Sequence, residues 1–236
     1  MFSFYFIFSL PGFVVPNVDF PPLCHSQFKP GPPSEQAQAA TQFMMDVMQN
    51  SDLLDLKQLC VVPGKLAWVL NVDLVCLNYD GSVLDCCVKA LVAAMRSLRL
   101  FKASLKLPDT ELDDEDSEAA QSEAIGGVMT AAELREAVEV DFSQSVPIKI
   151  NSQPISCTVA IFEDKMLVDP TDEEESMASA LVTIVLDGAS HEVVHFLKAG
   201  GSAVSRQQIQ ECTALAKKQA KQIVKAIEKA APLPDM

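Results

Sequence analysis

"GKLAWVLNVDLVCLNYDG", Gly64 to Gly81, is the stretch whose reading decides the fold. Leu66, Trp68, Leu70, Val72, Leu74 and Cys76 share one face of an extended chain, because side chains alternate with a period of two. The other face sets Asn71 and Asp73 among Val69, Val75 and Leu77, so it reads as mostly covered too. A strand apolar on both faces belongs in the middle of a packed sheet. Asp80-Gly81 supplies a turn. From Leu84 the apolar period changes to that of a helix: Cys87, Val88, Leu91, Val92 and Met95, ending near Arg96 and Arg99 as the helix dipole favours.

Upstream, "SEQAQAATQFMMDVMQNS" (34–51) opens with a Ser cap and places Ala40, Phe43, Met44, Val47 and Met48 at helical spacing. These methionines read as core packing. Downstream, "DTELDDEDSEAAQSE" (109–123) carries eight acids and no base, a solvated insert with nothing to fix a metal geometry. "MTAAELREAVEVDF" (129–142) suggests a short helix. Strands are expected at "PIKI", "SCTVAIF", "KMLVD", "ALVTIVLD" and "EVVHFLK". A Gly-Gly loop then leads into a long last helix with Ile209, Cys212, Ala216, Ala220, Ile223 and Ile227 on its apolar face. Lys217, Lys221, Lys225 and Lys229 lie four apart beside that face, either a solvated flank or a contact for a partner or RNA phosphate. Helix, strand, helix, acidic insert, several strands and a final helix make an α+β fold with a mixed sheet.

Composition narrows function. The 236 residues carry a formal charge of −14, which argues against general attraction to nucleic acid, though not against a local basic patch. Seven cysteines, Cys24, Cys60, Cys76, Cys86, Cys87, Cys157 and Cys212, form no C-x-x-C pair and read as reduced thiols. No phosphate-cradling P-loop, H-E-x-x-H or nucleophile elbow occurs. Three histidines, His25, His191 and His195, are too few and scattered for a ligand cluster; His191 and His195 are expected at the surface, flanking a strand. The opening "MFSFYFIFSLPGFVVP" lacks the basic start and cleavage site of a signal peptide, and Pro11-Gly12 make it too short to span a membrane. It reads as a divergent segment over 1–12.

"VVPNVDFPPLCHSQFKPGPPSEQAQ" (14–38), "LCVVPGKLAWVLNVDLVCLNYDGSVLD" (59–85) and "LVDPTDEEE" (167–175) together resemble the RNase PH family, in its branch of exosome ring subunits. The resemblance implies the RNase PH-like fold, akin to domain 2 of ribosomal protein S5, as a mixed sheet with packed helices. The family's early "R-P-D-G-R" segment has no counterpart, so the fold is expected to lack its first strands. The domain is then expected over 13–107 and 131–230, broken by an acidic insert at 108–130. Implied partners are other RNase PH-type exosome subunits in a six-membered ring, cap subunits with RNA-binding domains, and RNA, with no membrane. The implied role is support of 3′-to-5′ RNA processing and degradation, including ribosomal RNA maturation, in nucleus, nucleolus and cytoplasm.

The same resemblance bears on "VDPTDEEESMASALVTIV" (168–185), whose acids suggest a metal site. Phosphorolytic members continue that loop with "A-D-M-P"; here the run is "ALVT", and Leu181 stands where their Asp does metal and proton chemistry. A leucine neither ligates a cation nor moves a proton. Asp169 alone is insufficient, and Asp172 to Glu175 are expected to face water. The implied subunit is catalytically silent, with no catalytic residue, metal or cofactor. Lys29, in "SQFKPGPP", and Lys198, before the Gly-Gly loop, are the candidate RNA contacts. An active phosphate-dependent exoribonuclease and an acidic protein-interaction module are the competing readings.

Overall fold

The computed structural model describes residues 2–3, 12–62, 66–105, 138–163 and 165–232. The acidic insert, most of the first twelve residues and most of the 129–142 run lie outside them.

The deciding stretch splits in two. β3 (Cys60–Val62) pairs antiparallel with β4 (Leu66–Ala67), and β5 (Val69–Val75) begins after Trp68. The Trp68 N–H donates to the Leu59 carbonyl at 2.7 Å, and its side chain is buried with Leu54, Leu59, Leu70 and Ile148. Burying the indole there turns the chain out of the ladder. β5 is central, as expected: β1 (Phe2–Ser3) lies antiparallel on one side, and β2 (Phe13–Asp19) lies parallel on the other, Phe13 opposite Val69 and Asp19 opposite Val75. A parallel pair requires a crossover, and α1 (Glu35–Asn50) supplies it.

The expectation of two covered faces is corrected. Val72 and Leu74 pack into the first core, but Asp73 is exposed and Val75 is 55% exposed. On β2 the same side shows Phe13 and Val15, 41% and 43% exposed.

α1 is capped by Ser34, whose hydroxyl accepts the Ala37 N–H at 3.2 Å, and buries Ala37, Ala40, Phe43, Met44 and Val47. α2 (Val83–Ser97) buries Cys87, Val88, Leu91 and Met95 against the same core, and also buries Asp85, Val92 and Arg96. β6 (Arg99–Leu105) and β7 (Val138–Pro147) form a two-stranded ribbon. Val138 to Phe142 are therefore strand where a helix was expected, because V-E-V-D-F alternates and its Val138 to Asp141 pair across β6. "PIKI" is reduced to the end of β7 and a single bridge from Ile150 to Leu54.

The second half is an antiparallel sheet in the order β11-β10-β8-β9, with β8 at Pro154–Phe162, β9 at Lys165–Val168, β10 at Ala180–Asp187 and β11 at Val193–Leu197. Between β9 and β10 sits the short α3 (Asp172–Met177). α4 (Arg206–Ala230) covers the sheet with Cys212, Ala216, Ala220 and Ile227 buried, the face its spacing predicts. Small residues along that face let helix and sheet approach closely, and Ile155, Val159, Val182, Ile184 and Leu186 fill the layer between.

Candidate functional site

The acid-rich loop is built as a structural joint. Asp169 adopts a left-handed backbone, φ 60°, and its N–H donates to the Thr158 carbonyl at 3.2 Å. Thr171 caps α3: its hydroxyl accepts the Glu174 N–H, and the Glu174 carboxylate accepts the Thr171 N–H at 2.9 Å. Reciprocal capping of this kind satisfies two orphan donors at once. Gly81, φ 76°, lies so close to this loop that a Cβ would stand 2.3 Å from the Pro170 carbonyl oxygen.

The expectation that Asp172 to Glu175 all face water is corrected at Glu175. Its Oε1 accepts the Ser82 N–H at 2.7 Å, so the carboxylate caps the start of α2, where Ser82 gives no side-chain cap. Burial pushes the Glu175 carboxyl above its ordinary range, against the pull of the Ser82 N–H. Nearby, burial pushes the Tyr79 phenol up to about 12, with the Glu175 and Asp172 charges adding to it.

Beneath this joint is a buried network that the sequence reading did not single out. Asp85, 2% exposed, accepts the Thr158 N–H at 2.7 Å and the Thr158 hydroxyl at 3.0 Å. Thr158 and Thr183 hydroxyls meet at 2.9 Å, tying α2 to β8 and β10. Burial raises the Asp85 carboxyl from its ordinary value, opposed by the Thr158 N–H and by Lys89. At the other end of α2, the buried Arg96 donates from Nε to the Ala231 carbonyl at 2.7 Å, joining the C-termini of α2 and α4. Among the described residues no group of three or more His, Cys, Asp or Glu could hold a metal ion. Leu181 stands half-buried on β10, opposite Ala160 of β8.

Lys29 is exposed at the rim of a cleft of about 390 Å³ lined by Gln27, Phe28, Pro30, Gly31 and Pro32. An aromatic cluster holds its loop: Phe20 and Phe28 rings lie 5.1 Å apart, and Tyr79 meets them edge-on at 5.7 and 5.3 Å. The Tyr79 N–H donates to the Cys24 carbonyl at 3.1 Å. Lys198 is half-buried after β11, and its ammonium donates to the Gly200 carbonyl of its own loop. The two lysines stand on separate loops, which no hydrogen bond among the described residues joins.

The histidines are corrected. His195 lies within β11, its ring 5.4 Å from Phe43 and its Nδ1 at 3.4 Å from the Asn50 amide, because β11 packs against α1. His191 sits in a turn at φ 57° with a buried Nδ1 that has no partner among the described residues.

The chain matches the 3′ exoribonuclease family, domain 1, over residues 5–100, and domain 2 over 152–219. It is 37% identical, over 87% of its length, to a Schizosaccharomyces pombe protein named exosome complex component rrp43, and spans 66% of that protein. It is 24% identical to an exosome complex component Rrp42 of Methanothermobacter thermautotrophicus, over 92% of this chain and 70% of the relative. Among solved structures, a chain of an Archaeoglobus fulgidus exosome with RNA bound to the active site superposes with a TM-score of 0.69 at 23% identity, covering 92% of this chain and 71% of that one. An archaeal exosome core chain superposes at 0.64 and 21% identity, covering 93% and 69%. Two matched domains in family order, the α+β architecture and the relative at 37% identity lead to one conclusion: the chain belongs to the RNase PH, or 3′ exoribonuclease, family.

Proposed function

We propose that this chain is a non-catalytic subunit of an RNA exosome ring, seated among other RNase PH-type subunits beneath RNA-binding cap subunits. There it supports 3′-to-5′ RNA processing and degradation, including ribosomal RNA maturation. The relatives named exosome complex components support the ring assignment. The observation that carries the absence of catalysis is the fate of the acids around the 168–185 loop. Glu174 is spent on the Thr171 cap, Glu175 on the Ser82 N–H and Asp85 on Thr158, while Leu181 holds the strand position read as the family's acidic one. Each of these three carboxylates is engaged by a donor of the fold itself, and a leucine can neither ligate a cation nor move a proton.

Lys29 and Lys198 are the proposed RNA contacts, with Lys29 the better placed because it is exposed and its ammonium has no hydrogen bond among the described residues, whereas that of Lys198 is held by the Gly200 carbonyl. No described helix is long and apolar enough to cross a membrane, and the proposed sites of action are nucleus, nucleolus and cytoplasm. The test is phosphorolysis of single-stranded RNA with phosphate and Mg²⁺. The expected result is no nucleoside diphosphate release. Release that Asp169→Asn abolishes would establish an active phosphate-dependent exoribonuclease instead.

A further inference from the structure

The outer face of α4 is exposed among the described residues. Residues 212–230 carry five lysines, Lys217, Lys218, Lys221, Lys225 and Lys229, and a single acid, Glu228, in a chain whose formal charge is −14. All five lysines are exposed. At about 100° per residue, Lys218, Lys221, Lys225 and Lys229 gather on the side opposite the buried Ala216, Ala220 and Ile227. Lys217 lies on the flank. Among the described residues no carboxylate pairs with any of them.

Like charges at i,i+4, as in Lys217–Lys221, Lys221–Lys225 and Lys225–Lys229, work against helix stability. The helix tolerates them because its other face is buried in the second core. With a rise of about 1.5 Å per residue, the row from Lys217 to Lys229 is about 18 Å long. A rigid row of that length, with a net charge of about +4 and no ion pair among the described residues, fits a linear polyanion.

Two polyanions have the right charge: single-stranded RNA and an acidic protein segment. Protein interfaces concentrate their energy in buried aromatic and large apolar anchors. The outward face of α4 offers none; between the lysines there stand Gln222 and the single acid Glu228, both exposed. Contact with a phosphate backbone needs only positive charge, and it reads no base. We infer that the outer face of α4, through Lys218, Lys221, Lys225 and Lys229, is a second, sequence-independent contact for the phosphate backbone of single-stranded RNA, separate from the Lys29 loop.

This inference rests on the reading of the chain as an RNA-handling subunit, and its test leaves ring assembly aside. The full chain is titrated with a uridine 20-mer by fluorescence anisotropy between 50 and 200 mM KCl, as wild type, as K218A/K221A/K225A/K229A, and with arginine at all four positions. Each phosphate neutralised on a single strand contributes about 0.7 to the slope of log K against log salt. The alanine variant is expected to lose about 2.8 from that slope, so its affinity falls about 50-fold less than the wild type's across the range. The arginine variant keeps the slope, and adenosine and cytidine 20-mers give the same loss. Unchanged affinity and slope in the alanine variant, with helix content intact by circular dichroism, overturn the inference. So does a loss confined to a poly-glutamate competitor, which would make α4 a docking face for acidic protein. Failure here alongside normal recovery of ring partners removes only α4 from the RNA path; failure to recover partners removes the ring reading.

Discussion

The two halves of the molecule solve burial differently. In the second, four antiparallel strands lie under α4, and β8 and β10 are buried along nearly their whole length, from Ile155 to Ile161 and from Val182 to Leu186. In the first, β2 and β5 run parallel beneath α1 and α2, yet their other face shows Phe13, Val15 and Val75, and Leu23 and Leu77 beside them are 82% and 76% exposed. Parallel strands are normally covered on both sides. The difference teaches that the second sheet is covered on both faces, by α4 and by α2 of the first half, whereas the first sheet leaves one face open among the described residues.

The largest expected effect sharpens that contrast in stability. Ile184→Ala, at a position 0% exposed, should cost about 2–5 kcal/mol, since it removes packed methylenes and leaves a cavity. Val75→Ala, on the open face, should stay within about 0.5 kcal/mol. Urea unfolding of both variants measures the gap; equal losses would mean that the open face is packed in solution.

Next comes exposure. The full chain alone should bind a hydrophobic dye, and co-expression with a neighbouring RNase PH-type subunit should lower that binding, as removal of an apolar face requires. Phe13→Ser/Val15→Ser should reduce dye binding in the isolated chain, with Ile184 packing unaffected. A wild-type chain that ignores the dye would break the comparison.

A smaller effect tests the joint between the halves, where Glu175 caps α2. Its carboxyl is raised above the ordinary 4.5, so the fold favours its protonated form. The stability this contributes is fully present below 4.5 and is lost as pH rises through the folded value. Glu175→Gln keeps an acceptor for the Ser82 N–H without the charge. Wild type should therefore lose stability relative to Glu175→Gln between pH 4 and 7, read as a difference in urea midpoints. A constant difference across that range would show that the carboxylate is solvated.

The smallest expected effect is at the rim. Lys29→Ala should lower the salt slope of RNA binding by about 0.7, with no preference among base sequences. Unchanged crosslinking of RNA to the assembled ring would remove Lys29 from the path.

Much of this was legible in the residues, because period and burial go together. The α4 stripe from Cys212 to Ile227 and the apolar runs of β8 and β10 are buried where their patterns place them. The centre of the first sheet was legible too, but the break at Trp68 was not: alternation continues through it, and only the Leu59 carbonyl and the indole pocket turn the chain. The burial of Asp85 and Arg96 is not legible, although they extend the Val88–Val92 stripe of α2 by three residues back and four forward; polarity masks a periodic signal. Glu175 reads as solvated in the sequence because its partner, the Ser82 N–H, is 93 residues away. His195 reads as a surface residue flanking a strand, because nothing local announces the contact of β11 with α1. Local patterns give faces; pairings between distant loops come only with the fold.

On the function proposed above, neighbouring ring subunits cover the open face of the first half. Affinity purification of the tagged full chain from its own cells, followed by mass spectrometry and sedimentation, tests it directly. The predicted result is recovery of several RNase PH-type subunits and RNA-binding cap subunits in near-equal amounts, in a particle several times the 25.6 kDa of the chain. A monodisperse monomer that unfolds cooperatively and brings down none of them would contradict it, and would return the chain to the reading of an independent acidic module.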